Sequence, residues 1–415
     1  MDNPIDSLWP DPGFADEAVL RVRLDDLARQ PNPEPFSDAV LSFCRDLSES
    51  ILKDDQARRF SELKAFAFWI RPKALEALAR HHQALVPDRG VMTGRGVLFH
   101  LPPANVALLF AYNWILGLLT GNRAIVRLSS RRQEQADILL RLIRDALADY
   151  PGIGGGQLFL SYGHDDSVTA RLSSVCDLRV VWGGDATVSH LRGIPLPPSA
   201  GEISFGDRFS LAAIKARAIL DLSDEECRFL AEDLHNDIFW FDQMACSSPR
   251  LIVWVGDRNE AAAAGKKLYT ALAETGAAKG YAPDAGVLSA KLAYAYRAML
   301  DWPVTKMEMI GGRLVVLSLE RFADFREDVF GAGTLFDLVL PDLDTLAPSI
   351  RRKDQTLVHF GFSARELAGF VRLLGGKGLD RLVPPGQALS FGAIWDGHDL
   401  LGAFSKVVIV ESLLS

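Results

Sequence analysis

The side chains whose type and spacing could carry chemistry are few and dispersed along this chain. In FDQMACSSPRLIVWVG, Phe241 to Gly256, Cys246 stands at the mouth of an apolar strand. A cysteine so placed is either a nucleophile acting as its thiolate or a small buried side chain. Asn105 closes the turn PPAN directly after the apolar run GVLFHL. An asparagine at such a turn usually serves turn geometry. The run AIVRL ends in Arg127-Leu128-Ser129-Ser130, and LRVVW ends at Gly183, Gly184 and Asp185. Glycines at such a position let a ligand approach the backbone closely. His398, between two acids in WDGHDLL, could donate a proton or contact a substrate, or be a surface or packing histidine.

Several enzyme classes are excluded by what is missing. No GxGxxG loop follows a strand, and PGIGGGQ, Pro151 to Gln157, follows a helix and reads as its stop. Walker A, HExxH and GxSxG motifs are absent. The 4 cysteines form no CxxC or Cys/His pattern. Neither a disulfide framework nor a metal site is expected.

These residues need elements to hold them. The chain has 415 residues, 48% hydrophobic and 24% charged, which suits roughly two or three globular domains. A net charge of -8 and a pI of about 5.6 argue against nucleic acid as a partner and favour a soluble cytoplasmic protein. The acidic, proline-containing start resembles neither a signal nor a transit peptide. The longest apolar run, Val106 to Thr120, is interrupted by Asn113 and Gly117 and is too short to span a bilayer.

Residues 1–90 read as a helical region packed on a core, with Phe43, Leu47 and Ile51, then Phe60, Leu63, Phe66 and Ile70, at helical spacing. From Gly94 strands alternate with helices: GVLFHL, a helix from Val106 to about Thr120, AIVRL, and an amphipathic helix from Ser129 to Tyr150 with Ser129 or Ser130 as cap. QLFLSYG and LRVVWGG follow. Ser199 to Arg208 reads as a turn and crossover. A second α/β block runs from Leu211 to about Ile394 and includes RLIVWVG, RLVVLSL, TLFDLVL and TLVHFGF; KVVIVESLL is the last strand. The expected division is 1–90 helical, 91–210 and 211–394 α/β, and 395–415 a returning segment.

In this order the stretches GVLFHLPPANVALLFAYNWILGLLTGNRAIVRLSS, VVWGGDATVSHLR, FDQMACSSPRLIVWV and FREDVFGAGTLFDLVL resemble the aldehyde dehydrogenase superfamily. Within it they resemble the LuxC-like fatty acyl-CoA reductases, over roughly Gly94 to Ser415. The resemblance implies an aldehyde-dehydrogenase-like fold of two three-layer α/β domains, one binding a dinucleotide (91–210) and one holding the cysteine (211–394). It makes Cys246 the acyl-accepting nucleophile. Asn105 and the Cys246 N–H become oxyanion donors. Arg127, Ser129 and Arg131 become the adenosine-ribose end of a dinucleotide site, and Gly183, Gly184, Asp185 and Thr187 its phosphate loop. Asp328 and Phe330, in EDVFG, match the family's E-x-F-G nicotinamide-ribose segment, with Glu327 one residue away. His398 falls in a histidine-containing stretch like one near the end of the reductases.

Two departures matter: Asp328 takes by spacing the place of the glutamate in E-x-F-G, and a second bears on the direction of the reaction. The family's oxidising members carry a water-activating glutamate in E-L-G-G-K; the matching segment here is Ser204-Phe205-Gly206-Asp207-Arg208, with Glu202 close by. A thioester that water does not cleave can accept hydride and leave as an aldehyde. Arg127, Arg131 and Arg132 crowd the ribose end, which favours a 2′-phosphate and so NADPH, with NADH the alternative. The expected reaction is reduction of an acyl-CoA or acyl-carrier-protein thioester to an aldehyde. The alternatives are a CoA-acylating dehydrogenase running oxidatively, a cysteine acyltransferase without nicotinamide chemistry, or a non-catalytic scaffold. The resemblance further implies an acyl-activating or acyl-transferring partner protein and a homo-oligomer.

Overall fold

The structure, a computed structural model, describes residues 5–10, 13–14, 16–103, 106–130 and 132–411. The chain divides into two units. One holds Met1–Gly206 with His398–Ser415, the other Asp207–Gly397.

The first unit is built on β1 (Asp6–Trp9), β2 (Gly13–Phe14), β3 (Gly90–Gly94), β4 (Val97–Leu101), β5 (Arg123–Leu128), β6 (Gln157–Ser161), β7 (Leu178–Trp182) and β8 (Gly201–Phe205). Its main sheet runs in the order β2-β1-β6-β5-β4-β7-β8, parallel from β6 to β8 and antiparallel at β1 and β2. Every residue of β4, β6 and β7 is buried, as expected of parallel strands covered on both faces. The helix Asp38–Lys53 turns Val40, Phe43, Leu47 and Ile51 into a core shared with Trp114 and Phe159. Phe43 meets Trp114 edge-on at 5.8 Å. β3 pairs antiparallel with the strand Ser405–Ile409.

Several sequence expectations shift. Residues 1–90 are not helical throughout: β1 joins the sheet edge, anchored where Trp9 Nε1 donates to Gly154 O at 3.0 Å. The helix expected from Ser129 begins at Glu134, capped by Gln133 without a side-chain bond. Glu134 and Asp137 explain that start, since acids in a first turn complement the helix dipole. The stretch expected to turn at 199–208 instead holds β8, an edge strand whose half-exposed residues imitate a loop in sequence. The last strand ends at Ile409, not Leu414.

The second unit contains β9 (Phe209–Lys215), β10 (Pro249–Val255), β11 (Val304–Ile310), β12 (Leu314–Leu319), β13 (Thr334–Leu340), β14 (Asp354–Phe360) and β15 (Arg381–Val383). The order is β11-β12-β13-β10-β9-β14-β15, parallel except for β11. Central strand β10 is wholly buried. Leu251 and Val253 enter the core under Tyr294 and Phe336, while Ile252 and Trp254 enter the core with Leu230 and Leu268. Each such side chain contributes about 1.5–3 kcal/mol by leaving water.

Candidate active site

In the first unit the sheet has a topological switch point. β4, β5 and β6 succeed one another to one side, and β7 lies on the other side of β4. Open parallel sheets bind ligands beyond the carboxyl ends of the strands at such a point. Arg127 and Ser129 lie at the carboxyl end of β5; Gly183, Gly184 and Asp185 follow β7. Nothing approaches within 4 Å of the position a Gly184 side chain would occupy, so its backbone is bare. Gly184 caps the helix Asp185–Arg192, whose first-turn N–H groups lie beside it. These residues fit a dinucleotide: a glycine turn for its phosphates and a basic residue two strands away.

Arg127 is held against Tyr162, its guanidinium 4.9 Å from the ring centre, and donates to Tyr162 O and Gly163 O at 3.2 and 3.3 Å. Arg132 lies in the connection before the helix, not on its first turn, and pairs with Asp137 at 2.5 Å. Thr187 sits in the helix, where its side chain would meet any side chain added at Gly183. Asn105 and Arg131 lie outside the described residues. His398 is exposed and packs edge-on against Phe205, which stacks on Trp182 at 3.8 Å.

Glu202, the alternative water-activating acid, is fully engaged. Arg179 Nη2 lies 2.6 Å from one carboxylate oxygen and Arg192 Nε 3.2 Å from the other. Ser204, in the stretch compared above with E-L-G-G-K, accepts from Arg192 Nη2 at 2.5 Å.

In the second unit the cysteine loop is built by an unusual turn. The helix Asp224–Phe239 starts with a Ser223/Glu226 capping box. Beyond it Phe241, Asp242 and Gln243 adopt φ of 53°, 51° and 64°. Left-handed backbone at a non-glycine residue costs on the order of 1 kcal/mol, so three in succession need support. Gln243 supplies it. Its Nε2 donates to Pro249 O at 2.8 Å and Thr334 O at 3.1 Å; its Oε1 accepts from Gly333 N and Thr334 N at 3.1 Å each. Ala332 N donates to Asp242 O at 2.8 Å. Gly331 is required beside it, because a Cβ there would lie 2.4 Å from Asp242 O. Buried Lys291 donates to Ala332 O and Arg313 O at 2.5 Å, and burial lowers its pKa to about 8.

Cys246 follows this turn, ahead of β10. Its carbonyl accepts from Ser210 Oγ at 2.7 Å, and that oxygen accepts from Thr356 N at 3.2 Å, tying the loop to β9 and β14. Gln355 Nε2 lies 3.5 Å from Cys246 Sγ and also donates to Asp396. Arg208 Nε donates to the other Asp396 oxygen at 3.1 Å and its Nη1 lies 3.8 Å from Asp380. The site therefore gathers at the amino ends of β9, β10 and β14. Arg127, Ser129, Gly183, Gly184 and Asp185 of the first unit stand instead at the carboxyl ends of their strands.

The surroundings of the thiol oppose its ionisation. Burial first, and then the Asp396 charge, push its pKa up to about 11; the Gln355 bond and its own backbone N–H oppose them. Asp328 is paired with Arg297 at 2.7 Å, and Glu327 with Lys353 at 2.7 Å. Phe330 lies 5.6 Å from the Tyr294 ring. Both Asp328 and Phe330 stand just before the Gly331–Gly333 loop that Gln243 binds.

Asp396, Gln355, Arg208 and Arg381 were missed in the sequence. The one signal was the acid before His398: within WDGHD, Asp396 rather than the histidine reaches the thiol's surroundings. Arg381 donates to the carbonyls of Gln387, Ala388 and Ser390 and covers Trp395 at 4.8 Å, with Cys246 and Asp396 as charge neighbours. Among the described residues no cluster of three or more His, Cys, Asp or Glu gathers to hold a metal, and no helix is long and apolar enough to cross a membrane.

Known structures share this fold. Aldehyde dehydrogenase 21 from Physcomitrella patens superposes with a TM-score of 0.65 at 11% identity, over 100% of this chain and 95% of that one. Lactaldehyde dehydrogenase from Escherichia coli gives 0.62 at 13% identity, over 94% and 88%. The long-chain acyl-protein thioester reductase of Aliivibrio fischeri is 28% identical over 165 residues, 39% of this chain and 33% of that protein. The Vibrio harveyi protein of the same name is 28% identical over 171 residues, 40% and 33%. The match thus spans a third of the length of these relatives. The profile of the family described as acyl-CoA reductase (LuxC) matches residues 44–298, more than half of the chain. With that extent of match, on an aldehyde-dehydrogenase-like fold, the chain belongs to the acyl-CoA reductase (LuxC) family.

Proposed function

We propose that this chain reduces an acyl thioester, on coenzyme A or a carrier protein, to an aldehyde through an acyl-enzyme on Cys246. The observation that carries this is the setting of the thiol. It is held by a four-bonded glutamine turn ahead of a central strand, with an amide N–H on the sulfur and a carboxylate behind that amide.

Cys246 gives up its proton as its sulfur bonds to the acyl carbon, and the departing thiol leaves protonated. The Gln355 N–H steadies the sulfur as charge develops there. Asp396, fixed by Arg208 and Gln355, disfavours a free thiolate between turnovers. The Cys246 N–H and Asn105 are the proposed oxyanion donors, and removing one such donor typically costs on the order of 100- to 1000-fold in rate. A bound reduced nicotinamide would supply hydride to the acyl carbon; the aldehyde would then leave, and the freed Cys246 sulfur would take up a proton from solvent to replace the one that left with the first thiol.

Arg127, Ser129 and Arg131 are proposed to hold the adenosine ribose, and Gly183, Gly184, Asp185 and Thr187 the phosphates. Asp328 and Phe330 are assigned to the nicotinamide ribose. The basic character of the stretch 127–132 supports NADPH over NADH. Reduction is favoured over hydrolytic oxidation because Ser204 replaces the water-activating acid and Glu202 is spent on two arginines. His398 is assigned to substrate contact. A cytoplasmic homo-oligomer working beside an acyl-transferring or acyl-activating partner completes the reading, consistent with relatives named for acyl-protein thioesters.

The test is intact-protein mass of the full chain and of Cys246→Ala after mixing with acyl-CoA thioesters, followed by NADPH or NADH. An acyl adduct on wild type alone, discharged with aldehyde formation, is the expected result. Equal labelling of Cys246→Ala would sink the nucleophile assignment.

A further inference from the structure

The charged side chains near Cys246 are matched within the second unit, with one exception. Arg208 has Asp396 and Asp380, Lys353 has Asp207 and Glu327, and Arg326 has Asp354 and Asp324. Arg381 is held by three carbonyls. Arg250, in β10 just after the Cys246 loop, is 7% exposed and makes no side-chain hydrogen bond or ion pair among the described residues. Its charge neighbours are Asp207, Tyr294 and Cys246, and Asp207 is already bonded to Lys353 at 2.9 Å.

A guanidinium does not shed its proton in a protein. Buried charges are ordinarily paired, because burying one alone is strongly unfavourable. The nitrogens of Arg250 are not among the sealed polar atoms that lack partners. What little of the residue stays open therefore includes its charged end. A planar fork, nearly buried, unpaired and within electrostatic reach of the thiol is a seat for an anion that the protein does not itself provide.

We infer that Arg250 is an anion subsite beside Cys246 and that it takes a carboxylate carried by the acyl group, so that this chain accepts acyl thioesters with a second, acidic end. The inference rests on the reading of Cys246 as the acyl-bearing residue. A carboxylate suits the site better than a phosphate. The fork is single, and the neighbouring Asp207 opposes a dianion. The phosphates of coenzyme A or a carrier arm also lie at the far end of the pantetheine from the thioester sulfur, whereas Arg250 stands four residues after Cys246 and has it as a charge neighbour.

Length-matched coenzyme A thioesters test it on the full chain: glutaryl against valeryl, and adipoyl against hexanoyl. Acylation of Cys246 is followed by intact mass in wild type, Arg250→Met and Arg250→Lys. A second readout, independent of acylation, is the rate of Cys246 alkylation by iodoacetamide with and without glutarate or inorganic phosphate. Wild type is expected to prefer the acidic member of each pair roughly tenfold or more, the worth of one charge-assisted pair. Arg250→Met should lose that preference while still taking the neutral acyl groups, and Arg250→Lys should fall between. Glutarate should slow alkylation of wild type and not of Arg250→Met. A wild type that takes neutral groups and prefers them at both lengths overturns the inference and leaves the acyl-enzyme standing. Equal slowing of both members in Arg250→Met overturns it too, since Arg250 would then serve the thioester carbonyl. Protection by phosphate in place of glutarate overturns the carboxylate assignment. A wild type that no thioester labels removes the acyl-enzyme and this inference together.

Discussion

Gln355 holds its amide nitrogen 3.5 Å from Cys246 Sγ while giving a hydrogen bond to Asp396. One amide thus joins the thiol to a carboxylate that opposes its ionisation. Gln355 stabilises a thiolate by donating to it; Asp396 destabilises one by its charge.

The two residues should therefore move the thiol in opposite directions. In wild type its pKa is raised to about 11, so alkylation by iodoacetamide should keep accelerating well above pH 9. Asp396→Asn removes the negative charge and should shift the alkylation profile to lower pH. Gln355→Leu removes the donor and should shift it higher. Equal profiles in both variants would mean that burial alone sets the thiol.

Gln243 offers a stability test of the loop. Replacing it with Leu leaves Pro249 O, Thr334 O, Gly333 N and Thr334 N without the partner they now share. Loss of a buried partner costs about 1–3 kcal/mol, and the released left-handed turn recovers only part of that. Gln243→Leu should lose roughly 2–4 kcal/mol in urea unfolding. It should also slow Cys246 acylation more than it slows alkylation by small iodoacetamide, because the thiol persists while its placement does not. A variant with normal stability and normal acylation would show that the turn holds itself.

Much of this architecture could be read from the sequence, for physical reasons that differ by element. Fully apolar runs such as RLIVWVG announce buried parallel strands, and β10 lies where that run does. Edge elements are another matter. β8 carries Glu202 and Ser204 and faces solvent in part, so its composition resembles a turn. The site divides in the same way. Cys246 and Gln243 share one short segment and are legible together. Arg208, Gln355, Arg381 and Asp396 come from separate segments that only the fold brings near the thiol. In WDGHD, histidine attracts notice because of its pKa range, yet the acid two residues earlier is the one buried beside Gln355.

Asp237 should make stability depend on pH. It is fully buried in the helix Asp224–Phe239 and accepts from Gly386 N at 2.7 Å and Ala388 N at 2.9 Å. Burial raises its pKa to about 7, against the lowering effect of those two bonds. Between the ordinary carboxylate range, near 4, and the folded value, the folded chain holds a proton that the unfolded chain has lost. Its contribution to stability is therefore fully present below about pH 4 and is lost as pH rises toward 7. Asp237→Asn cannot titrate. Urea unfolding of both proteins at pH 5 and pH 8 should show wild type gaining on the variant at the lower pH. A constant difference would mean that Asp237 is ionised throughout.

The proposal that Ser204 stands where the oxidising enzymes have a water-activating acid gives the last prediction. Restoring a carboxylate at Ser204 should not by itself restore hydrolysis, because Arg192 already donates to the Ser204 oxygen at 2.5 Å and would pair with the new glutamate. A carboxylate bound to a guanidinium is a weaker base, its pKa depressed by the neighbouring charge. Ser204→Glu should thus release free acid from an acyl-CoA only slightly faster than wild type. Ser204→Glu combined with Arg192→Ala leaves Glu202 paired with Arg179 and frees the new carboxylate. The double variant should hydrolyse its acyl-enzyme on the order of 100-fold faster, the usual scale of general base catalysis. Free-acid formation followed without nicotinamide measures this directly. Fast hydrolysis by Ser204→Glu alone would show that Arg192 does not hold the position. No hydrolysis by either variant would show that the base at this position is not what separates reduction from oxidation here.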